Sequence, residues 1–249
     1  AHRLFNKGGK LLLFPLLLRS LEALRKERPD MVICGHILAG PIGLLFKKLY
    51  GIPYAVYAYA LEVMGTKYRQ IVASLLSNAD RVFALSEFTR RFILSLGVEE
   101  RRIAKAPPTV DCEYFNPSVD GSEVTKEFRL AGGRVILTVG RLERGERYKG
   151  HDMVIRACPT MLAKVPNLVY LIVGDGTDRP RLESLARKLG VAQNVLFAGS
   201  VPPDDLPKYY SSCDLYVMPT RQIVNEKGVN AEGFGLVFLE ASACGKPSI

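Results

Sequence analysis

Apolar and polar positions in the first part of the chain follow two alternating periods, one typical of strands and one typical of helices. Short apolar runs are followed by longer segments in which apolar residues recur every three or four positions. Helix signals accompany the longer segments: Ser86 can cap a helix that Gly97 ends, and Gly51 can end another. Alternation of this kind predicts a parallel sheet with crossover helices. The predicted strands are 31–35, 54–58, 81–84 and 103–106, and the predicted helices are 10–28, 41–50, 67–78 and 86–96.

The alternation stops at Pro107-Pro108 and resumes near Arg134. The polar, turn-rich segment 107–133 is predicted to be an interdomain linker with a short helix. Beyond it the pattern predicts strands at 135–139, 168–173, 195–198 and 215–218, helices at 149–164, 178–189 and 204–211, and a loop at 219–231. The chain is therefore predicted to be α/β with two domains, 1–106 and 134–249, joined by 107–133.

Residues 232–245 carry the most informative pattern in the chain. Two carboxylates, Glu232 and Glu240, stand eight residues apart, with two glycines and an apolar run between them. The helical spacing of the apolar residues predicts a helix that begins near Gly235, so Glu232 would precede it and Glu240 would lie within it. A helix start offers unpaired N–H groups and a positive dipole end, which suit an anionic or polyhydroxylated ligand. The alternative is a surface glutamate followed by an ordinary helix glutamate.

Composition narrows the class of protein. The chain has 249 residues, 48% hydrophobic and 24% charged, as in ordinary globular proteins. Its longest apolar run, 11–18, is too short to span a bilayer, and no stretch resembles a signal peptide. The five cysteines are scattered and form no Cys-x-x-Cys pair, which argues against a disulfide framework or zinc site and fits a cytoplasmic location.

The net charge of +9 lies entirely in the first part of the chain. Residues 1–106 hold 17 Lys and Arg against 8 Asp and Glu, whereas residues 107–249 hold 17 of each kind. A basic half can face nucleic acid or an anionic membrane surface. No nucleic-acid-binding motif is present, so we expect no nucleic-acid partner and consider peripheral binding to a membrane. The alternative is a basic solvated surface without a partner.

Several residues stand where α/β sheets place ligands, at the carboxyl ends of strands. Gly140 and Arg141 follow one predicted strand, and Arg141 and Lys149 could neutralise a diphosphate. The alternative for this loop is a solvated charged segment. The turn 174–176 lacks the third glycine of a dinucleotide fingerprint, and 199–201 could offer backbone groups to a base.

The first half offers fewer candidates for chemistry. His36 follows one predicted strand and Glu62 lies just past another. A single histidine after a strand is more often structural than catalytic. No Ser-His-Asp set, metal cluster or Gly-rich phosphate loop is apparent in the sequence.

Five segments, taken together, resemble a known family. In order they are Thr138-Val-Gly-Arg-Leu142, Tyr148-Lys-Gly-His-Asp152, Leu171-Ile-Val-Gly-Asp-Gly176, Phe197-Ala-Gly-Ser-Val201 and the Glu232…Glu240 segment, which continues to Pro247. They resemble the retaining GT-B glycosyltransferases of family 4, whose E-x7-E motif the last segment matches. The chain looks most similar to the GDP-mannose-dependent phosphatidylinositol mannosyltransferases. The resemblance is strong over 134–249 and weaker over 31–106.

The resemblance implies roles for the matching residues. Arg141 and Lys149 would bind the donor diphosphate and stabilise it as a leaving group, and Glu232 would hold the transferred sugar. These three would be the catalytic residues. Glu240 would bind the ribose hydroxyls, Val201 would lie against the base, and the backbone of 234–236 would contact the sugar. The donor-binding residues would be Gly140, Val201, Phe234, Gly235, Leu236 and Glu240.

The family's implied architecture and chemistry set further expectations. The fold would be GT-B, with two Rossmann-like domains facing across a cleft, the acceptor on the first and the donor on the second. No metal or cofactor would be needed, because the two cations replace Mg²⁺. A hexose, mannose rather than glucose, would move with retained configuration from a nucleotide diphosphate sugar, GDP-mannose rather than another, to a lipid-linked or glycan acceptor.

The sequence departs from the family in places. Tyr59 stands where the family has a sugar-contacting histidine, in a stretch that continues to Glu62. Together with His36 these residues are candidates for contact with sugar or acceptor. The sequence lacks an initiator methionine and ends within a predicted strand, so we expect both ends to be cut and the chain as given to be inactive. The alternatives are a nucleotide-sugar-binding protein without catalysis and a transferase that uses UDP-glucose and a soluble acceptor.

Overall fold

The computed structural model describes residues 2–59, 68–225 and 228–249. The chain divides into two compact units, one up to Pro107 and the other from Pro108 to Asn225 and from Val229 to Ile249. The segment 107–133, predicted as a linker, is therefore grouped with the second unit from Pro108 onwards. The segment joins this unit because Phe115, Val124 and Leu130 are buried in its core.

The first unit contains one parallel sheet of four strands in the order β1-β2-β3-β4. The expected alternation of strands and helices is confirmed, with small shifts at the element ends. Helix α1 begins earlier than the periodicity indicated, at His2, and ends at Glu27. The elements are α1 (His2–Glu27), β1 (Val32–Cys34), α2 (Gly40–Tyr50), β2 (Tyr54–Ala58), α3 (Arg69–Asn78), β3 (Arg81–Ala84), α4 (Glu87–Ser95) and β4 (Ile103–Lys105).

The second unit contains another parallel sheet of four strands, in the order β7-β6-β5-β8. The middle strand pair is in register from Arg134 opposite Leu168 to Val139 opposite Val173. Beyond β8, where the sequence predicts that a last strand begins, Ser248 forms an isolated parallel bridge with Tyr216. The elements are α5 (Ser122–Glu127), β5 (Arg134–Val139), α6 (His151–Leu162), β6 (Leu168–Val173), α7 (Arg179–Lys188), β7 (Val195–Gly199), α8 (Leu206–Ser211), β8 (Leu215–Tyr216), β9 (Ile223–Asn225), β10 (Gly228–Asn230) and α9 (Leu236–Ala243).

Both faces of the second sheet are buried, which explains its unbroken apolar strands. Alternate residues of one strand enter separate cores: Leu137 packs into one cluster and Ile136 into the other. Leu171 and Ile172 divide in the same way on the neighbouring strand. A side chain entering each core at successive positions fixes the register, because a one-residue slip would exchange the two sets.

Two details of the second unit differ from the sequence-based expectation. Helix α6 begins at His151 rather than at Lys149, because Gly150 adopts a left-handed φ of 81° and separates it from a 3-10 segment at Arg144–Lys149. A side chain at Gly150 would place its Cβ 2.3 Å from the carbonyl oxygen of Pro219, so the chain can pass there only with glycine. The predicted loop 219–231 contains the short paired strands β9 and β10.

Candidate functional site

Three strand-to-helix loops of the second unit meet at the carboxyl edge of its sheet. The amide of Leu142 donates to the carbonyl of Asp175 at 2.9 Å, and the amide of Gly174 donates to the carbonyl of Gly199 at 2.7 Å. A Cβ at Gly174 would lie 2.0 Å from the carbonyl oxygen of Gly140, and the φ of Gly174 is 132°. The prediction that 174–176 forms a tight turn is confirmed, and its glycines allow these backbones to touch.

Lys149 and Glu232 lie together although 83 residues separate them in the chain. The Lys149 Nζ donates to Glu232 Oε2 at 2.9 Å, and the two side chains are only 13% and 23% exposed. A Cβ at Gly140 would lie 3.4 Å from Lys149 Cδ, so this glycine borders the same site. The structure thus brings three of the candidate residues into one place, with a partly buried ion pair at its centre.

Arg141 also has a carboxylate partner, which sequence reasoning missed. Its Nη2 lies 2.5 Å from Glu146 Oε1, with Arg141 half exposed and the Glu146 side chain 12% exposed. Burial raises the pKa of Glu146, and the carboxylates of Glu232 and Glu143 act in the same direction against Arg141 and Lys149. Glu146 stands in a run of charged residues that indicated a solvated loop, and nothing in that run distinguishes a buried glutamate. Both candidate cations of the diphosphate site are therefore paired with carboxylates.

Helix α9 begins where the glycines predicted. Gly235 is its N-cap residue, with a φ of 84° and without a side-chain capping bond. A Cβ at Gly235 would come within 2.6 Å of the ring of Phe238, which packs edge-on against Tyr216. Phe234 is half buried and Leu236 is exposed beside this helix start. Backbone groups of the first turn and the dipole of α9 therefore lie next to Glu232, four residues before the helix.

Glu240 lies within α9, as expected, and has a buried partner that the sequence did not reveal. The hydroxyl of Tyr210, a fully buried residue of α8, donates to Glu240 Oε2 at 2.6 Å. Burial raises the pKa of Glu240, and this hydrogen bond opposes the rise. The bond fixes one oxygen of the carboxylate, so Tyr210 orients the group that the sequence assigned to ribose. No pattern of spacing connects α8 with α9, and only the fold shows the pair.

Val201 follows β7 by two residues and packs, half buried, against the core that contains Leu137. Its position after Gly199, at the same edge of the sheet as Gly140 and Gly174, agrees with the expected place for a base. The role of Val201 stays a prediction.

Two first-unit candidates lie beside each other at the ends of neighbouring strands. The rings of His36 and Tyr59 stack with centroids 5.7 Å apart and planes 21° apart. The Nδ1 of His36 accepts from the amide of Leu38 at 3.1 Å and so begins a 3-10 turn. Tyr59 is 41% exposed, and Glu62 lies outside the described residues. A stacked, exposed aromatic surface can contact a sugar ring, which keeps both residues as candidates.

A further buried histidine lies beneath the candidate diphosphate site. His151, the first residue of α6, is 5% exposed, and its Nε2 is buried without a hydrogen-bond partner. A Cβ at Gly140 would lie 3.8 Å from this nitrogen. Burial, aided by Lys149, lowers the pKa of His151 to about 4, so the imidazole is neutral at pH 7. His151 stood within a recognised motif, but the sequence gave no sign of its burial.

The described residues contain neither a cluster of metal-binding side chains nor a helix suited to crossing a bilayer. No group of three or more His, Cys, Asp or Glu side chains in that part of the chain is placed to hold a metal ion. None of the helices described there combines the length and apolarity that crossing a bilayer requires.

Comparison with protein families gives two matches that together span most of the chain. Residues 123–249 match the family model of group 1 glycosyl transferases. Residues 1–114 match the family model of glycosyltransferase family 4.

Curated relatives of two kinds are similar to the chain. A GDP-mannose-dependent alpha-(1-6)-phosphatidylinositol monomannoside mannosyltransferase of Mycolicibacterium smegmatis is 35% identical over 70% of this chain and 44% of its own length. A D-inositol 3-phosphate glycosyltransferase of Acidothermus cellulolyticus is 30% identical over 92% of this chain and 53% of its own length. The chain spans about half the length of the curated relatives it matches.

Solved structures share the fold at lower identity. The Anabaena protein HepE, in complex with UDP, superposes with a TM-score of 0.77 at 21% identity, over 94% of this chain and 62% of that one. A sucrose-phosphate synthase from Thermosynechococcus elongatus gives a TM-score of 0.73 at 23% identity, over 95% and 59%.

Proposed function

The chain belongs to the group 1 glycosyl transferases of family 4, and on that premise we propose that it binds a nucleotide diphosphate sugar in its second unit for transfer of the sugar with retained configuration. The proposed donor is GDP-mannose and the proposed acceptor is lipid-linked or a glycan. Arg141 and Lys149 bind the diphosphate, Glu232 and the start of α9 bind the sugar, and Glu240 binds the ribose. Gly140 leaves room for the phosphates, and Val201 lies against the base.

The observation that carries the proposal is the contact between Lys149 and Glu232. A cation for the leaving phosphate and an acceptor for sugar hydroxyls must lie within a few ångströms, because the bond that breaks joins the sugar to the phosphate. These two side chains meet at 2.9 Å beside Gly140 and the N-terminus of α9. A preorganised cation at the leaving group stabilises the charge that develops there, without a metal in this proposal.

The choice of GDP-mannose rests on the mannosyltransferase relatives, whose names specify that donor. The second kind of relative favours another candidate function, transfer to a small soluble acceptor. Those relatives are named for D-inositol 3-phosphate and align with 92% of this chain in one case, against 70% for the mannosyltransferase. A third candidate, donor binding without catalysis, is favoured by Tyr59 in the place of the family's histidine.

The donor is tested by following the thermal unfolding of the chain with GDP, UDP and ADP, and then with GDP-mannose and UDP-glucose. A ligand that binds the native state raises the midpoint temperature of unfolding as its concentration increases. At a hundred times its Kd, the free energy of unfolding rises by about 2.7 kcal/mol. We expect GDP and GDP-mannose to give the largest shifts. Equal shifts for all three nucleotides, or none, would contradict a specific GDP site.

Catalysis and the acceptor are tested on the chain and on any longer natural form that contains it, because the chain spans about half the length of the curated relatives it matches. Release of GDP from GDP-mannose is measured with phosphatidylinositol vesicles or with inositol 3-phosphate as acceptor. Faster release with the vesicles supports the lipid-linked acceptor, and faster release with inositol 3-phosphate supports the soluble one. Tight donor binding without release under either condition supports binding without catalysis.

A further inference from the structure

The diphosphate site that we propose holds its own carboxylate on Arg141. Glu146 Oε1 pairs with Arg141 Nη2, and the two residues are five positions apart in one loop. Arg141 is 52% exposed and its partner 12%, so the carboxylate lies underneath and the guanidinium lies at the surface. A nucleotide diphosphate that approaches Arg141 therefore meets a cation that is already neutralised, and it must share or displace Glu146.

The second oxygen of Glu146 is the unusual feature of this pair. Oε2 is buried without a hydrogen-bond partner, and so is Nε2 of His151. Both residues line one cavity of about 10 Å³, together with Arg141, Arg147, Asp178 and Arg181. A volume of this size accommodates about one water molecule. The two residues with unpartnered polar atoms thus line one small cavity, and a hydrogen bond between those atoms, direct or through one water, would satisfy both.

The ring of His151 can accept such a hydrogen bond because it is neutral. Its side chain is 95% buried, and burial lowers its pKa to about 4. In the tautomer that carries hydrogen on Nδ1, Nε2 is an acceptor. A protonated Glu146 can donate to it across the cavity, directly or through one water.

We propose, on the basis of the donor site proposed above, that Glu146 is the resting counter-ion of Arg141, that a nucleotide diphosphate displaces it, and that Glu146 then takes a proton from solvent and donates it towards His151. Glu146 acts as a positioning residue in this scheme. It holds the guanidinium in place while the site is empty, and it releases the guanidinium without leaving a bare buried anion. The proton comes from the solvent and returns there when the nucleotide leaves.

The charges around Glu146 make this exchange sensitive to the ligand. Arg141 and Lys149 favour its ionised form, whereas Glu143, Glu232 and burial favour the neutral form. The cavity wall adds two cations, Arg147 and Arg181, and the carboxylates of Asp152 and Asp178 beside neutral His151. Asp178 is already bound by Arg147 and Arg181, which leaves Arg141 as the cation in direct contact with Glu146. A diphosphate that takes Arg141 and adds negative charge raises the pKa of Glu146.

The sign of the pH dependence follows from this rise. Affinity for the diphosphate is complete below the pKa of Glu146 in the free chain. It falls as pH rises through the higher pKa that Glu146 has in the complex. Glutamine keeps the shape and cannot ionise, so Glu146→Gln should hold the high affinity over the pH range in which the parent chain loses it. One unit of pKa change corresponds to about a tenfold change in Kd, so we expect the variant to bind GDP roughly 5–10-fold tighter than the parent chain at pH 8.

The test is calorimetric titration of the chain with GDP in two buffers of different ionisation enthalpy, which counts the protons taken up. Measured over a series of pH values, the parent should take up protons in the range where its affinity falls, and Glu146→Gln should lose the part of the uptake that belongs to Glu146. The phosphate of GDP titrates in both proteins and cancels in the difference. Glu143→Gln removes a charge from the same loop without the contact to Arg141, so it should move the uptake to lower pH and not abolish it.

His151→Phe gives an independent variant that leaves Glu146 in place and removes its acceptor. It should reduce proton uptake and weaken GDP binding in the pH range where the parent takes up protons, and its thermal unfolding verifies that it folds. Equal proton uptake in the parent and in Glu146→Gln would overturn the proposal, as would an unchanged Kd in Glu146→Gln at pH 8. A parent chain that binds neither GDP nor UDP would instead refute the proposed donor site itself, so the two failures are distinguishable.

Discussion

The two units differ in how their charged and apolar side chains are used. The first part of the chain carries the whole net charge, with 17 Lys and Arg against 8 Asp and Glu in residues 1–106. Most of the large apolar side chains that are exposed in the described residues also belong to it, among them Phe14, Ile33 and Leu49. The second unit is neutral, and its sheet is packed on both faces.

The candidate sites show the same difference. In the second unit each ionisable candidate is held by another side chain: Lys149 by Glu232, Arg141 by Glu146 and Glu240 by Tyr210. In the first unit the described candidates are a stacked aromatic pair with an exposed tyrosine. Preorganised charge suits the binding of a fixed anionic group, whereas an exposed aromatic and basic surface suits a larger and more variable partner. The predictions below test this difference, from the largest expected effect to the smallest.

Replacement of glycines with left-handed φ values should affect the two units unequally. Gly174→Ala would place a Cβ 2.0 Å from the carbonyl oxygen of Gly140, at a φ of 132°. We expect a loss of about 3–5 kcal/mol in unfolding free energy, because backbone strain and a backbone clash add together. Gly51→Ala in the first unit, at a φ of 71° with open space around it, should cost only about 1 kcal/mol. Denaturant midpoints of both variants decide this, and equal losses would contradict the close approach of the site loops.

Removal of the partly buried cation should have the largest effect on transfer. Lys149→Ala deletes the group that we assign to the leaving diphosphate and leaves Glu232 without its partner. We expect kcat to fall about 100-fold, the scale for loss of a transition-state charge partner. Lys164→Ala, which removes an exposed lysine of the same unit, is the matched control and should leave kcat unchanged. A near-normal kcat for Lys149→Ala would refute the assigned role.

The two glutamates around the start of α9 should differ in the ligand that they affect. Glu240→Gln should weaken GDP binding by roughly 1–3 kcal/mol, because a charged acceptor to the ribose hydroxyls is lost. Glu232→Gln should spare GDP and weaken GDP-mannose. Calorimetry with both ligands on both variants separates the roles, and equal effects on the two ligands would mean that the roles are wrongly divided. Tyr210→Phe should reproduce part of the Glu240→Gln effect, whereas Tyr209→Phe should not, since the Tyr209 ring packs against Phe128.

The basic first unit should give the weakest effect, reversible attachment to anionic lipid. Each Lys or Arg near such a surface contributes about 1 kcal/mol, and salt screens the attraction. We expect the chain to sediment with vesicles that contain anionic lipid and not with neutral ones, and to be released as salt is raised. If sedimentation at low salt is the same with anionic and with neutral vesicles, the basic surface has no membrane partner and a soluble acceptor is favoured.

Much of the fold could be predicted from the chain itself. The alternation of strands and helices, the parallel sheets and the GT-B class are confirmed. Strand β6 has the predicted ends, because a run buried on both faces leaves an unambiguous apolar segment. The start of α6 and the strands β9 and β10 were missed, since a single backbone torsion at Gly150 and a short pairing leave no periodic signal.

The candidate site was likewise predicted from the sequence only in part. Sequence motifs identified Arg141, Lys149, Glu232 and Glu240, because each stands at a fixed offset from a strand end or a helix start. The partners of these residues could not be predicted from the sequence. Burial of Glu146 and His151 depends on how the loop after β5 folds back over α7, and Tyr210 meets Glu240 only because α8 and α9 pack together.

The sequence by itself determined the order of the elements, the family, and the residue types at the carboxyl edge of the second sheet, because these follow from local periodicity and motif spacing. Only the tertiary structure decided which charges are neutralised. Whether Lys149 faces solvent or a carboxylate 83 positions away is set by the packing of the strands and helices between them, and an ion pair forms only where that packing brings two side chains within about 4 Å.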